Sequence, residues 1–225
     1  RAVPVTLTAP SGAGDWPMKN LFTAAVDSRP DLTCTFGVAG AGLWKFLGIY
    51  YDALPAEDDP VQKRRRFNQH FVSLERAYLP EPHVDVDALY AAWSRKLGRP
   101  AVVPSYEHEV DVTRLVGLQG PFCAYLARTI ISPDERQVYL VIGNSDAYRL
   151  YLNDELVAEM DECTYWAPFN NAVLVKLKPG PNRLLLKLLR RGAEARFTLG
   201  IRQHTGHPGQ FNCEDWAVDL SDQAG

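Results

Sequence analysis

The chain is poor in cysteine. Its four, Cys34, Cys123, Cys163 and Cys213, are spread too widely for any CxxC or Cys/His ligand pattern, which argues against a zinc site. Free buried thiols are the simplest reading, and the three possible disulfide pairings stay open. No apolar run approaches the roughly 20 residues needed to cross a bilayer, and no charged start, apolar stretch and small-residue cleavage site marks a secretory signal. The chain begins at Arg1 rather than at a methionine, as a processed chain or an excised module would. Its cellular address stays open, secreted or cell-surface if the protein is exported. Charge of one sign is also missing: a formal net charge of -3 gives no global reason to expect nucleic acid or an anionic membrane as partner.

Familiar catalytic signatures are absent as well. There is no Gly-x-Ser-x-Gly elbow, no HExxH, no phosphate-binding glycine loop and no dinucleotide fingerprint. Glu57-Asp58-Asp59, Glu107 with Glu109, Asp161-Glu162 and Glu214-Asp215 supply close carboxylates. In a chain with 27 acidic residues such pairs arise by chance and read as solvated surface. His204 and His207 form the one close histidine pair and lack a third ligand nearby, so they read as a polar loop. Lys63-Arg64-Arg65-Arg66 would spread around a helix axis instead of forming one strip.

What is present is enough apolar sequence for one substantial core, at 46% hydrophobic over 225 residues. Val3 to Leu7 reads as a short strand, and glycine, proline and turn formers at Ala9 to Gly14 and Arg29-Pro30-Asp31 predict a loop-rich N-terminal part. Leu43 to Tyr51 reads as a buried strand. Helix-compatible spacings predict a helix over about Asp58 to Leu74 and another over Val86 to Leu97, where Leu89, Trp93 and Leu97 recur and Gly98 supplies a stop. From there the pattern is that of strands: Glu107 to Val112, Cys123 to Ile131, Gln137 to Ile142, Tyr148 to Leu152, Ala172 to Leu177, Asn182 to Leu189 and Ala195 to Arg202. Turn chemistry separates them, which predicts an antiparallel sandwich rather than a βαβ fold. Tyr148, Leu150 and Leu152 share one face and are the core candidates of their strand. Asn182 to Leu189 is apolar almost throughout, so both of its faces should be covered.

Four phrases in order, Ala124 to Asp134 (AYLARTIISPD), Val138 to Asp146 (VYLVIGNSD), Leu150 to Val157 (LYLNDELV) and Leu177 to Lys187 (LKPGPNRLLLK), resemble the galactose-binding-like jelly rolls attached to many glycoside hydrolases. Leu43 to Gly48 and Tyr78 to Glu81 are similar to the first strand and following loop of those modules, so the resemblance covers roughly Leu43 to Arg202. It implies a mainly β, antiparallel jelly-roll sandwich. Residues 1–42 would be an N-terminal extension packed on it, and residues 43–225 the sandwich, with a helical insertion at about 58–98. Family members commonly carry glycine where this chain has Asp154, which bears on the turn type of the Asn153-Asp154 hairpin but not on its existence.

Such folds host many uses, so function has to be argued from a site. Sugar binding needs aromatic faces flanked by amides, carboxylates or guanidinium groups. In jelly rolls resembling this one the ligand is met by loops at one end. Here those are Asn144 to Tyr148 and Thr164 to Asn171, which make Asp146, Tyr148, Arg149, Tyr165, Trp166, Asn170 and Asn171 the candidate ligand-binding residues. Arg149, Arg190 and Arg191 are also candidates for an anionic sugar such as a uronic acid. No catalytic residue is assigned. No cofactor is required, although the resemblance allows a structural calcium ion, for which no Asp/Asn spacing identifies ligands. The expected function is a non-catalytic carbohydrate-binding module beside a catalytic domain, with a poly- or oligosaccharide as partner and neither nucleic acid nor membrane. The alternatives are a structural or protein-interaction domain supporting such a neighbour and, more weakly, a glycan-active hydrolase.

Overall fold

The computed structural model describes residues 5–8, 21–26, 29–37, 42–53, 70–105, 109–113, 120–167, 171–192, 194–204 and 221–222. Strand alternation organises it. In Gly180–Arg190, Leu184, Leu186 and Leu188 face one way while Leu185, Lys187 and Leu189 face the other, and both sets are buried. The even face packs into a core shared with a second sheet, and the odd face packs under a separate layer of chain. Each fully buried leucine contributes about 1.5–3 kcal/mol relative to exposure, so this one strand anchors two cores.

The first strands, β1 (Val5–Thr8), β2 (Leu21–Val26) and β3 (Arg29–Gly37), make a three-stranded antiparallel sheet of their own. The strand expected at Val3 to Leu7 is present from Val5 onward and runs to Thr8, while residues 3 and 4 lie outside the described residues. Arg29-Pro30-Asp31, read from sequence as irregular, instead open a strand. Pro30 lies where the pairing shifts from Val26↔Arg29 to Ala25↔Thr33, on a strand with a single neighbour, so its missing N–H costs no ladder bond. Ala9 to Gly14 lie outside the described residues.

The larger sheet holds β4 (Gly42–Tyr50), β7 (Val102–Ser105), β9 (Phe122–Ser132), β11 (Tyr148–Leu152), β12 (Glu155–Met160) and β14 (Gly180–Arg190) in the order β12-β11-β14-β9-β4-β7, with β16 (Ser221–Asp222) paired to β9. Facing it is a four-stranded sheet, β13-β10-β15-β8, formed by β8 (Glu109–Asp111), β10 (Arg136–Asn144), β13 (Asn171–Leu177) and β15 (Arg196–Gln203). All pairings are antiparallel. Trp44, Phe46, Phe122, Leu126, Tyr148, Leu150 and Leu186 from the larger sheet meet Leu140, Ile142, Leu177, Phe197 and Leu199 from the smaller in one dry core. The fold is therefore mainly β, two antiparallel sheets around a common interior, and the strands at 109–203 follow the sequence pattern closely. The predicted core set Tyr148, Leu150 and Leu152 is buried on that inner face. β12 is the returning arm of the expected Asn153-Asp154 hairpin, and its pattern of half-exposed positions suits an edge strand.

Local chemistry sets the turns. Asn153 and Asp154 both take left-handed backbone angles (φ 50° and 74°), the requirement of a two-residue hairpin twisted with its strands. The Asn153 side chain accepts from the Arg183 amide at 3.0 Å. Buried Asn182 accepts from the Lys178 amide at 3.0 Å and donates to the Lys178 and Gly180 carbonyls at 2.8 and 3.0 Å, closing the proline-glycine turn before β14.

Helix α1 (Val86–Leu97) has the predicted bounds. Asp85 caps it, accepting from the Ala88 amide at 3.0 Å, and Gly98 ends it in the left-handed conformation at φ 65°. Trp93 packs edge-on against Phe46 at 5.1 Å and sits over Gly48 of β4. The helix expected over Asp58 to Leu74 lies mostly outside the described residues. Near its end, β6 (His70–Phe71) is a short strand paired antiparallel with β5 (Asp52–Ala53) instead of helix.

Candidate functional site

Three turns come together at one end of the two sheets: residues 144–147 between β10 and β11, residues 161–167 after β12, and residues 190–192 with 194–195 between β14 and β15. Their meeting point is Ser145-Asp146. The Thr164 amide donates to the Ser145 carbonyl at 3.0 Å, the Ser145 amide to the Arg196 carbonyl at 3.1 Å, and the Arg196 amide to the Ser145 hydroxyl at 3.0 Å. Asp146, with no exposed surface, accepts from the Ala147 amide at 2.7 Å, the Arg191 Nε at 2.8 Å, the Gly192 amide at 3.2 Å and the Arg191 amide. Arg191 then reaches Asp161 at 2.6 Å.

Sequence reasoning placed residues 144–148 and 164–171 at one end, and the described parts of both stretches do meet there. It did not include the third turn. The Arg191-Gly192 turn signal was visible, but nothing local showed that Asp146 would hold it from 45 residues away.

The individual candidates differ in what they present. Tyr165 is 95% exposed. Trp166 is half-buried: its Nε1 donates to the Thr198 hydroxyl at 3.0 Å and the Arg196 guanidinium lies 3.9 Å over its ring. Such a cation–π stack contributes on the order of 1 kcal/mol and fixes the ring plane. Asp146 and Tyr148 are fully buried, so they support the loops instead of presenting a surface to a ligand. Burial pushes the Tyr148 phenol above its ordinary range, partly offset by a hydrogen bond donated by the Asn171 amide at 3.3 Å. Asn171 is thereby committed to the core strand. Arg149 belongs to a different surface, where it donates to Glu159 at 2.9 Å, Glu75 at 2.8 Å and the Leu74 carbonyl at 3.1 Å. Asn170 lies outside the described residues, as do His207, Cys213, Lys63 to Arg66, and Glu57 to Asp59. Cys123 is a free buried thiol as expected, whereas Cys163 is free but exposed, because its turn runs along the surface.

Among the described residues no three His, Cys, Asp or Glu side chains gather to hold a metal. Asp146, the carboxylate at the centre of the loop end, has its oxygens taken by N–H donors, including a guanidinium, and does not fit a calcium ligand. Grooves also lie elsewhere among the described residues. A groove of about 370 Å³ beside α1 is lined by Lys45, Asp85, Asp87, Arg128 and Arg183, and its charges are largely matched internally: Lys45 pairs with Asp87 at 3.3 Å and Arg183 pairs with Asp154. A groove of about 450 Å³ opens between the edge strands β12 and β13, lined by Leu152, Val157, Val173, Leu174 and Lys176. No described helix is long and apolar enough to cross a membrane.

No known family and no curated protein matches the chain. Among solved structures it is similar to the selenomethionine-labelled β-glucosidase of Kluyveromyces marxianus, with a TM-score of 0.38 and 15% identity, covering 46% of this chain and 14% of that one. It is likewise similar to the β-glucosidase of the same organism in complex with glucose, with a TM-score of 0.36 and 15% identity, covering 47% and 14%. Less than half of the chain is matched in each case, over 14% of the length of those β-glucosidase chains.

Proposed function

We propose that the chain is a non-catalytic, galactose-binding-like jelly-roll module that binds a glycan at the loop end around Tyr165 and Trp166. The observation that carries this reading is Tyr165, an aromatic ring exposed almost completely and set beside a tryptophan whose plane is locked by Arg196. Burying an aromatic would gain the fold free energy; leaving it out on a turn anchored by Ser145 and Asp146 is what a preformed platform for a pyranose face requires. Tethered to a catalytic domain, even weak binding raises the local concentration of that domain on its polymer.

Isothermal titration of the chain against a panel of neutral and acidic oligosaccharides tests the proposal. Tyr165→Ala is expected to weaken binding about tenfold, the effect of roughly one aromatic contact, with thermal stability unchanged. Absence of binding to every glycan, with Tyr165→Ala silent, sinks it.

A structural or interaction role is the second reading. It is favoured by the groove between the β12 and β13 edges, whose lining includes the exposed Leu174.

A further inference from the structure

We infer that the loop end selects neutral glycans and disfavours those rich in uronic acid; this rests on the glycan-binding reading above. The cations that a uronate would need are already engaged. Arg191 is shared between Asp146 and Asp161, at 2.8 and 2.6 Å. Arg196 lies flat on Trp166 and 3.6 Å from Glu194. Arg149 is held by Glu75 and Glu159, and Arg190 turns to the Gly120 carbonyl at 3.4 Å and the Phe122 ring. An arginine that binds a carboxylate bidentately needs its donor fork open, and here the forks of Arg149 and Arg191 are spent on internal carboxylates.

Meanwhile exposed carboxylates stand on the same turns as the aromatic platform. Glu162 stands three residues before Tyr165 on the same exposed turn, so the extended-chain limit keeps their Cα atoms within about 11 Å. Asp161 is about half-exposed on that turn. Glu194, also about half-exposed, reaches the platform through Arg196. Among the described residues of the three turns, Asp146, Asp161, Glu162 and Glu194 outnumber Arg190, Arg191 and Arg196 by one, a small net negative charge. These separations are comparable with the Debye length at ordinary ionic strength, about 10 Å at 0.1 M, so the repulsion of a carboxylated sugar is felt and is salt-sensitive. A neutral pyranose meets no such penalty.

The test compares neutral gluco-, xylo-, manno- and galacto-oligosaccharides with oligogalacturonate of matching length, by titration at low and high salt. The wild-type chain is expected to bind its best neutral oligosaccharide at least about tenfold more tightly than the uronate at low ionic strength, with the gap narrowing several-fold in about 1 M salt. Glu162→Lys, an exposed substitution that leaves the fold intact, should improve uronate binding about tenfold and change neutral binding less than about twofold. Uronate binding equal to or tighter than neutral binding, or weakened by added salt, overturns the selectivity while leaving the glycan-binding reading standing. Failure of every glycan to bind, with Tyr165→Ala silent, overturns both.

Discussion

The two faces of the larger sheet bury comparable apolar layers, yet they are held in different ways. The inner face is dry: Leu184, Leu186, Leu188, Leu126 and Leu150 interdigitate with the opposite sheet and need no polar help. The outer face lies beneath residues 72–86 and α1, and at its centre sits Lys187, which has no exposed side-chain surface. Its ammonium donates to the Leu74 and Arg76 carbonyls at 2.7 and 2.8 Å and to Glu81 at 2.9 Å. Glu81 in turn accepts from the Tyr151 hydroxyl at 2.8 Å and from the Tyr125 hydroxyl. The difference teaches where specificity comes from. A sheet packing on a sheet is held by periodicity, whereas an irregular segment has backbone carbonyls that only a precisely placed donor can satisfy. One lysine in an otherwise leucine-rich strand does that.

The comparison can be broken most forcefully at Lys187. Lys187→Met leaves Glu81 buried without its partner and two carbonyls without donors, and should cost about 4 kcal/mol in urea denaturation. Leu186→Ala, its neighbour on the dry face, should cost about 3 kcal/mol through a cavity. If the lysine variant were nearly neutral, the outer face would be as purely apolar as the inner one.

Next comes Gly48, where β4 bulges and hands Phe46 to the inner core and Leu47 to the outer. An alanine Cβ there would lie 2.3 Å from Trp93 Nε1 on a backbone at φ 127°. Gly48→Ala is expected to cost about 2 kcal/mol and to raise hydrogen exchange in α1. Unchanged exchange in α1 would show that the helix docks independently of the bulge.

The mildest test is alkaline pH. Burial raises the Tyr78 phenol to about 12, with Asp52 adding to the rise and the Ser73 amide opposing it. Burial, with Glu81 beside them, pushes Tyr125 and Tyr151 up as well. Below pH 10 folded and unfolded chains both carry neutral phenols, so stability is unaffected there. Between about 10 and 12 the unfolded chain ionises first, and stability falls as pH rises. Denaturation followed by tyrosinate absorbance should show buried tyrosines titrating late and together with unfolding. Ordinary titration near 10 with the fold intact would place these hydroxyls in water, unlike the inner-face Tyr148.

Much of the β architecture was legible because period-two alternation and turn residues are local signals. Asn153-Asp154 announces a hairpin, and Lys178-Pro-Gly-Pro a turn, whatever surrounds them. The strand from Arg29 was hidden because proline reads as a breaker until an edge position makes its missing N–H harmless. At the candidate site, the sequence located both loops but not their roles. Asp146 and Tyr148 look like ligand-facing polar and aromatic groups in one dimension, and burial against Arg191 and Asn171 turns them into supports.

By itself, then, the sequence determined the antiparallel strands, the limits of α1, both covered faces of β14 and the aromatic turn at Tyr165-Trp166, since each depends on residues a few positions apart. Only the tertiary structure decided that the turn at Arg191 joins that end, that the nearby arginines are engaged, and that Lys187 fastens residues 74–81 to the sheet. Those outcomes rest on partners tens of residues distant, whose meeting is set by how the sheets pack and not by any local pattern.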